Sequence, residues 1–345
     1  MKNNFSNNLY NLFILVIIFS NTAFGKEFKT LFEINHKIES GVSLDKSLNQ
    51  SFDKMVYRLS GSSNPSYIWR IINSGTVRKD YIVSYSVNQI DGDSFLRTQF
   101  NQKLLEDKFR QLKIPLIGKS RPIFIVIAKI DNGIDEPYFL NDDVTNVFDK
   151  SFKELLNTIS EDRGVFIEIP ILDLIDAQNI KDFNYLLNPN DYLKSKYSYE
   201  DIVNVEITKI DTENWSVTGD IEKFIKSNNF QNEFIESFQK ILDDKVSKYL
   251  NGLQIEFSEK NTLALNIANI ESVEDYENVI NGLKSIIGIE KIKINAFTNN
   301  TLKSDVYFFG NNERFINVID DKSDYKLTNI SDLSLIHISE PTRPY

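Results

Sequence analysis

The chain has 345 residues, with 39 Lys and Arg against 49 Asp and Glu, a formal net charge of −10 and no cysteine. Such a surface repels nucleic acid and anionic lipid headgroups, and without cysteine there is neither a disulfide framework nor a lipid-acceptor thiol. A chain of this length is long enough for two or three domains held by ordinary apolar cores.

The first 25 residues run in the order of an export signal: Lys2, an apolar stretch over 12–19, then Ala23-Phe24-Gly25. The apolar stretch is far shorter than the roughly 20 residues a membrane-crossing helix needs, so cleavage after Gly25 and a soluble periplasmic product are expected, with no stable membrane span. Lys2 is the only charged residue lost with it, which leaves a net charge of −11. The first domain, expected over 26–118, reads as α+β. Leu44, Leu48, Phe52, Met55, Val56 and Leu59 make one helical stripe, with Ser43 as N-cap and Gly61 as terminator. Tyr81, Val83, Tyr85 and Val87 alternate as a strand. Asp91-Gly92 turns the chain, and Leu96, Thr98 and Phe100 line the return strand. Leu104, Leu105, Phe109 and Leu112 form the next helix, which Pro115 stops.

The central domain, 119–250, reads as α/β with a mixed sheet. Residues 123–128 are apolar at every position, as in a strand covered on both faces. Phe148, Phe152, Leu155, Leu156 and Ile159 make a crossover helix to a strand over 165–169, completing a βαβ unit. Val203, Val205 and Ile207 alternate with polar residues, and with a strand near Trp215 they suggest a sheet-edge hairpin. Phe230, Phe234, Phe238, Ile241, Leu242 and Tyr249 define a long amphipathic helix expected to cover the sheet. This order of elements is similar to that of exported α/β domains that assemble on the envelope. The last module, 251–332, reads as βαββα: strand 263–267, a helix from Ser272 with Asp275 as its capping-box partner, strands 289–296 and 302–309, and helix 312–319. A unit of this size resembles small ring-building and peptide-contacting modules of secretion and envelope proteins. The run from Leu333 through Arg343 resembles the in-frame translation of a transposase-type sequencing adapter, so residues 333–345 are expected to be non-native and His36 to be the one native histidine.

Arg58-Leu59-Ser60-Gly61, Phe100 leading into a helix, and the run from Ile114 through Pro122 before an apolar strand together resemble the exported proteobacterial family called domain of unknown function 2066. Arg163-Gly164, Pro170-Ile171-Leu172-Asp173 with Asp176, and Trp215 extend the likeness over most of the chain after residue 25. The resemblance implies an exported protein and lends no activity.

No phosphate-cradling loop, zinc-binding His-Glu-x-x-His helix or Gly-x-Ser-x-Gly elbow is present, and no cofactor is indicated. His36 lies in a polar segment and reads as a surface or capping residue. Ser43-Leu44-Asp45-Lys46 matches Ser-x-x-Lys by letter, yet Ser43 is better explained as a helix cap, and Asp91-Gly92-Asp93 as turn chemistry. Asp173 and Asp176 follow the carboxyl end of a strand, where open α/β sheets bind ligands, and two carboxylates there can hold a divalent cation or share a proton. The competing reading gives them to a turn, or to pairs with Arg121 or Arg163. Arg121, fixed by Pro122 at the mouth of a buried strand, has the geometry to grip a carboxylate or phosphate, or else ties the loop internally. Trp215 is a stacking surface for a sugar or peptide, or else a half-buried strand aromatic. The sequence therefore points to a non-catalytic envelope module that binds another envelope protein or a cell-wall component. The alternative is a cation-dependent periplasmic hydrolase using Asp173 and Asp176.

Overall fold

The computed structural model describes residues 26–62, 64–90, 92–141, 146–172, 176, 193, 196–312, 315–316, 319, 325–331 and 333–338. The expected leader and Asp173 lie outside these residues. The fold mixes α+β and α/β organisation, and each of the three expected segments holds its own sheet.

The first segment opens with β1 (Lys26–Glu27), β2 (Glu33–Lys37) and α1 (Leu44–Ser60). Ser43 caps α1 by accepting the Lys46 N–H at 3.3 Å, and Gly61 ends it at φ 68, a left-handed conformation that favours glycine. Phe52, Met55, Val56 and Leu59 form its fully buried stripe. A second helix, α2 (Pro65–Asn73), follows; nothing in the apolar periodicity announced it. Asn64 caps it through the Ser66 N–H, and Pro65 presets its first turn. β3 (Ile82–Ile90) and β4 (Asp93–Phe100) make the expected hairpin around Gly92 at φ 86, and α3 (Gln102–Gln111) ends before Pro115. The sheet order is β2-β4-β3, so β3 is an edge.

β5 (Ser120–Arg121) pairs with β1, and β6 (Ile123–Asp131) starts the central sheet. It continues through β7 (Tyr138–Phe139), α4 (Val147–Arg163), β8 (Phe166–Glu168), β9 (Asp201–Lys209), β10 (Asn214–Gly219) and β11 (Lys223–Lys226), closed by α5 (Phe230–Gly252). β6, α4 and β8 form the predicted parallel βαβ unit. β6 is buried on both faces: Phe124, Val126, Ala128 and Ile130 meet α4 and α5, whereas Ile123, Ile125 and Ile127 meet Leu193 and Tyr199. The expected edge hairpin is corrected. β9 lies inside the sheet between β6 and β10, and β11 is the edge. The alternation of Val203, Val205 and Ile207 with exposed Asn204 and Glu206 reports one covered face, not an edge position.

The last segment runs β12 (Lys260–Ala268), α6 (Val273–Lys284), β13 (Ile289–Thr298), β14 (Thr301–Phe309), β15 (Tyr325–Ser331) and β16 (Leu333–Ile338). Ser272 and Asp275 complete the predicted capping box of α6. The order β13-β14-β12-β16-β15 uses the 333–338 segment as a strand, parallel to β12 and antiparallel to β15. The sheets are separate but the cores are not: Ile255, Phe257, Ile287 and Phe309 pack into the first segment's core beside Phe109 and Leu116.

Candidate functional site

Arg121 lies at the meeting point of α1 and α4, with no exposed surface. Its Nε donates to the Gly118 carbonyl at 2.8 Å, and its Nη1 to the carbonyls of Arg58 at 3.2 Å and Arg163 at 3.4 Å. The last two belong to the final turns of α1 and α4, where carbonyls lack a helical partner and the helix dipole is negative. Arg58 donates to the carbonyls of Thr30, Glu33 and Glu161, and Arg163 donates to the Gly61 carbonyl and to Ser247 Oγ at 2.9 Å. Three buried guanidiniums therefore cap two helix C-termini reciprocally. Burial first, and then the Arg58 and Arg163 cations, push Arg121 down to about 9, so it keeps its charge at pH 7. Burial likewise pushes Arg58 down to about 10 against the pull of Glu161 and Asp162. The internal tie, not the anion grip, describes Arg121.

Asp176 is buried and its Oδ2 sits 2.5 Å from Lys196 Nζ. Nearby, a pocket of about 210 Å³ is lined by Ile125, Glu168, Ile169, Pro170, Ile171 and Tyr197. It opens where β8 ends opposite Ile125 and before β7 takes up the same side of β6 at Lys129. The lining is mostly apolar, and its Glu168 is paired with Lys26 at 3.1 Å. Among the described residues no group of three His, Cys, Asp or Glu is placed to hold a metal ion. Trp215, in β10, stacks on Phe230 with centroids 4.2 Å apart and 16° between planes, while Lys209 Nζ lies 5.8 Å from its ring. It ends a series of rings that includes Phe148, Phe152, Phe234 and Phe238, which is the half-buried reading. The structure thus leaves Arg121, Asp176 and Trp215 in three separate settings.

His36 is not the surface residue its polar neighbours suggested. In β2 it is half-buried opposite Leu96, and its Nδ1 lies 3.3 Å from Ser51 Oγ, which also takes a bond from Thr98 Oγ1 at 3.1 Å. Ser51 has no exposed surface, so this Ser–His contact cannot meet a substrate. Burial, and then the Lys54 ammonium, hold the imidazole below its ordinary value, with Asp162 opposing.

The feature that points outward is β3. From Ile82 to Ile90 it reads IVSYSVNQI, nine residues without a charge, and it pairs with β4 on one side only among the described residues. Tyr85 and Val87 face the same way as Thr98 and Leu96 but lie beyond the cover of α1, leaving them 52% and 48% exposed. Val83 and Ile90 are exposed as well.

No protein-family model, curated protein or solved structure matches the chain.

The alternation over 81–87 predicts β3 as a strand but does not mark it as an outward surface. Its alternation resembles that of a half-buried strand, and the register shift between Ile82 and Ser84 is invisible in the letters. The available signal was the missing charge. Among the described residues every other edge strand of four or more residues carries at least one: Glu33 and Lys37 in β2, Lys223 and Lys226 in β11, Lys291 and Lys293 in β13, Lys326 in β15. Charged residues on an edge discourage another chain from adding to it, and β3 has none.

Proposed function

We propose that the chain is an exported, non-catalytic binding or assembly module of the cell envelope that works through a strand edge and not through an enclosed reaction site. The observation that carries this is the uncharged nine-residue β3, paired on one side only among the described residues, with Tyr85 and Val87 exposed beside its edge. An unpaired edge offers a row of backbone donors and acceptors that an extended segment can complete, and the side chains next to it supply selectivity. The order of charged, apolar and small residues over 1–25 supports export, as does the likeness to domain of unknown function 2066. Among the described residues no helix is long and apolar enough to cross a membrane.

A photoactivatable amino acid at Val87, in intact cells, tests this reading. A cross-linked adduct is expected at position 87 and not at exposed Lys240 on α5. Equal labelling at both positions, or none at either, refutes the strand-edge function.

A further inference from the structure

We infer that the partner of this edge is β3 of a second copy of the chain, the two strands running antiparallel about Ser86. This deepens the strand-edge reading above and rests on it. The midpoint of Ile82–Ile90 is Ser86, so an antiparallel register spanning both strands places Ser86 opposite Ser86, with regular pairing from Ser84 to Asn88 and the register shift between Ile82 and Ser84 left at each end. In that register Ser84 faces Asn88 and Tyr85 faces Val87, each pair occurring twice.

The pairs are mutually suited. Aromatic and β-branched residues opposite one another stabilise antiparallel strands, and a strand free of charge brings no like charges together when it meets itself. A two-fold axis perpendicular to the sheet keeps corresponding faces on one side. Tyr85 and Val87 of both copies then gather into a single apolar cluster flanked by the two α1 helices, which covers the side chains that one copy leaves exposed. The two three-stranded sheets become one of six strands. Among the described residues the other substantial edges carry lysine or glutamate, so of these edges β3 is the one left suited to pairing.

The net charge of −11 on the chain from Lys26 onward opposes association at long range, so pairing should tighten as salt rises. A contact built on one strand pair lies at the small end of specific interfaces, so the measurement belongs at about 100 μM protein. Sedimentation velocity of the chain from Lys26 onward is expected to show a dimer whose fraction grows with added sodium chloride. Val87→Lys, at an exposed position, is expected to weaken it by at least about tenfold, because two ammonium groups then meet near the axis.

The register has its own test, since the native chain has no cysteine. Residues directly opposite have Cα atoms about 4.5–5.5 Å apart, within disulfide reach, so Ser86→Cys should cross-link rapidly on mild oxidation. Asn88→Cys, exposed on the same face, should not: its counterpart is four residues away along the strand, roughly 13 Å. A wild-type monomer at that concentration, or equal cross-linking of the two variants, overturns the self-pairing. If that monomer still gives an adduct with another protein at position 87 in cells, strand-edge binding stands with a different partner. If it gives none, both readings fall.

Discussion

Replacing Arg121 with Met separates two opposed effects of a buried cation. The guanidinium has no solvent contact and lies beside two others, so its removal relieves desolvation and repulsion; replacing buried ionic groups with apolar ones of similar volume can stabilise a protein by about 1–4 kcal/mol. Against this, the acceptors of Arg121 are main-chain carbonyls, which stay in place when the side chain goes. Its bonds to Gly118 and Arg58, at 2.8 and 3.2 Å, are of ordinary length, and those to Arg163 and Ile117, both at 3.4 Å, are long. Counting only the two shorter ones at roughly 1.5–3 kcal/mol for a charged donor gives a gross loss of roughly 3–6 kcal/mol. The final turns of α1 and α4 also lose the positive charge that balances their dipoles. Setting roughly 3–6 kcal/mol lost against about 1–4 kcal/mol relieved, Arg121→Met should destabilise the fold by about 2 kcal/mol. Urea unfolding of wild type and variant, followed by far-ultraviolet circular dichroism, measures the difference. A variant as stable as wild type, or more so, would show that desolvation outweighs capping and would refute the reciprocal-cap account.

Three further outcomes follow from local geometry. His36 is held below its ordinary pKa, so the unfolded chain takes up a proton there before the folded one does; its contribution to stability is complete above about pH 6.5 and falls as pH drops toward the folded value. His36→Gln should remove that part of the pH dependence in denaturation midpoints measured from pH 7.5 down to 5, and an unchanged profile would deny the coupling. Phe238, wholly buried and edge-on to Phe152 at 4.6 Å, should cost about 3–5 kcal/mol on change to Ala in the same unfolding assay; a loss near zero would place it outside the core. Gly219 has φ 104, and an added Cβ would stand 2.3 Å from the Asn204 carbonyl oxygen, so Gly219→Ala should shift the β9–β10 pairing and cost more than about 1 kcal/mol. Amide exchange across Val205 and Ile207 reads that change, and protection equal to wild type would contradict it.

The elements written most legibly in the sequence were those whose burial is periodic. α1, α5 and β6 bury most of the side chains their spacing marks, with Leu44 left exposed at the start of α1 and Ile241 and Tyr249 half-buried in α5, and the caps at Ser43 and Ser272 depend on neighbours three residues away. α2 escaped because its nine residues bury only Ile68 and Ile71, too few for a stripe, and what fixes it is the Asn64-Pro65 start. The role of Arg121 escaped for a different reason. Arg58 and Arg163, whose carbonyls it holds, are 63 and 42 residues away, and nothing local records that meeting. The burial of His36 is hidden from the sequence because β2 has polar residues at most positions, yet its partner Ser51 sits on the buried side of α1. Trp215 was legible only as an aromatic on a strand, since the ring it stacks on belongs to the following helix.

These non-local contacts also explain why β3 is the edge left over. In the order β2-β4-β3, β2 lies toward the central segment, where Lys54 of α1 meets Asp162 of α4 at 2.6 Å and Arg58 reaches the Glu161 carbonyl. The cations that cap α1 and α4 therefore anchor one side of the small sheet and leave its other side facing out. Strand addition orders an incoming segment at an entropic cost, and a template that is already fixed lowers that cost. A mobile hairpin would have to be ordered along with its partner. On this argument the buried arginines serve the exposed edge: loosening the cap by Arg121→Met should weaken association at β3, although no atom of Arg121 belongs to that surface. An Arg121→Met protein that remains folded and dimerises as tightly as wild type would show that the edge needs no such anchorage.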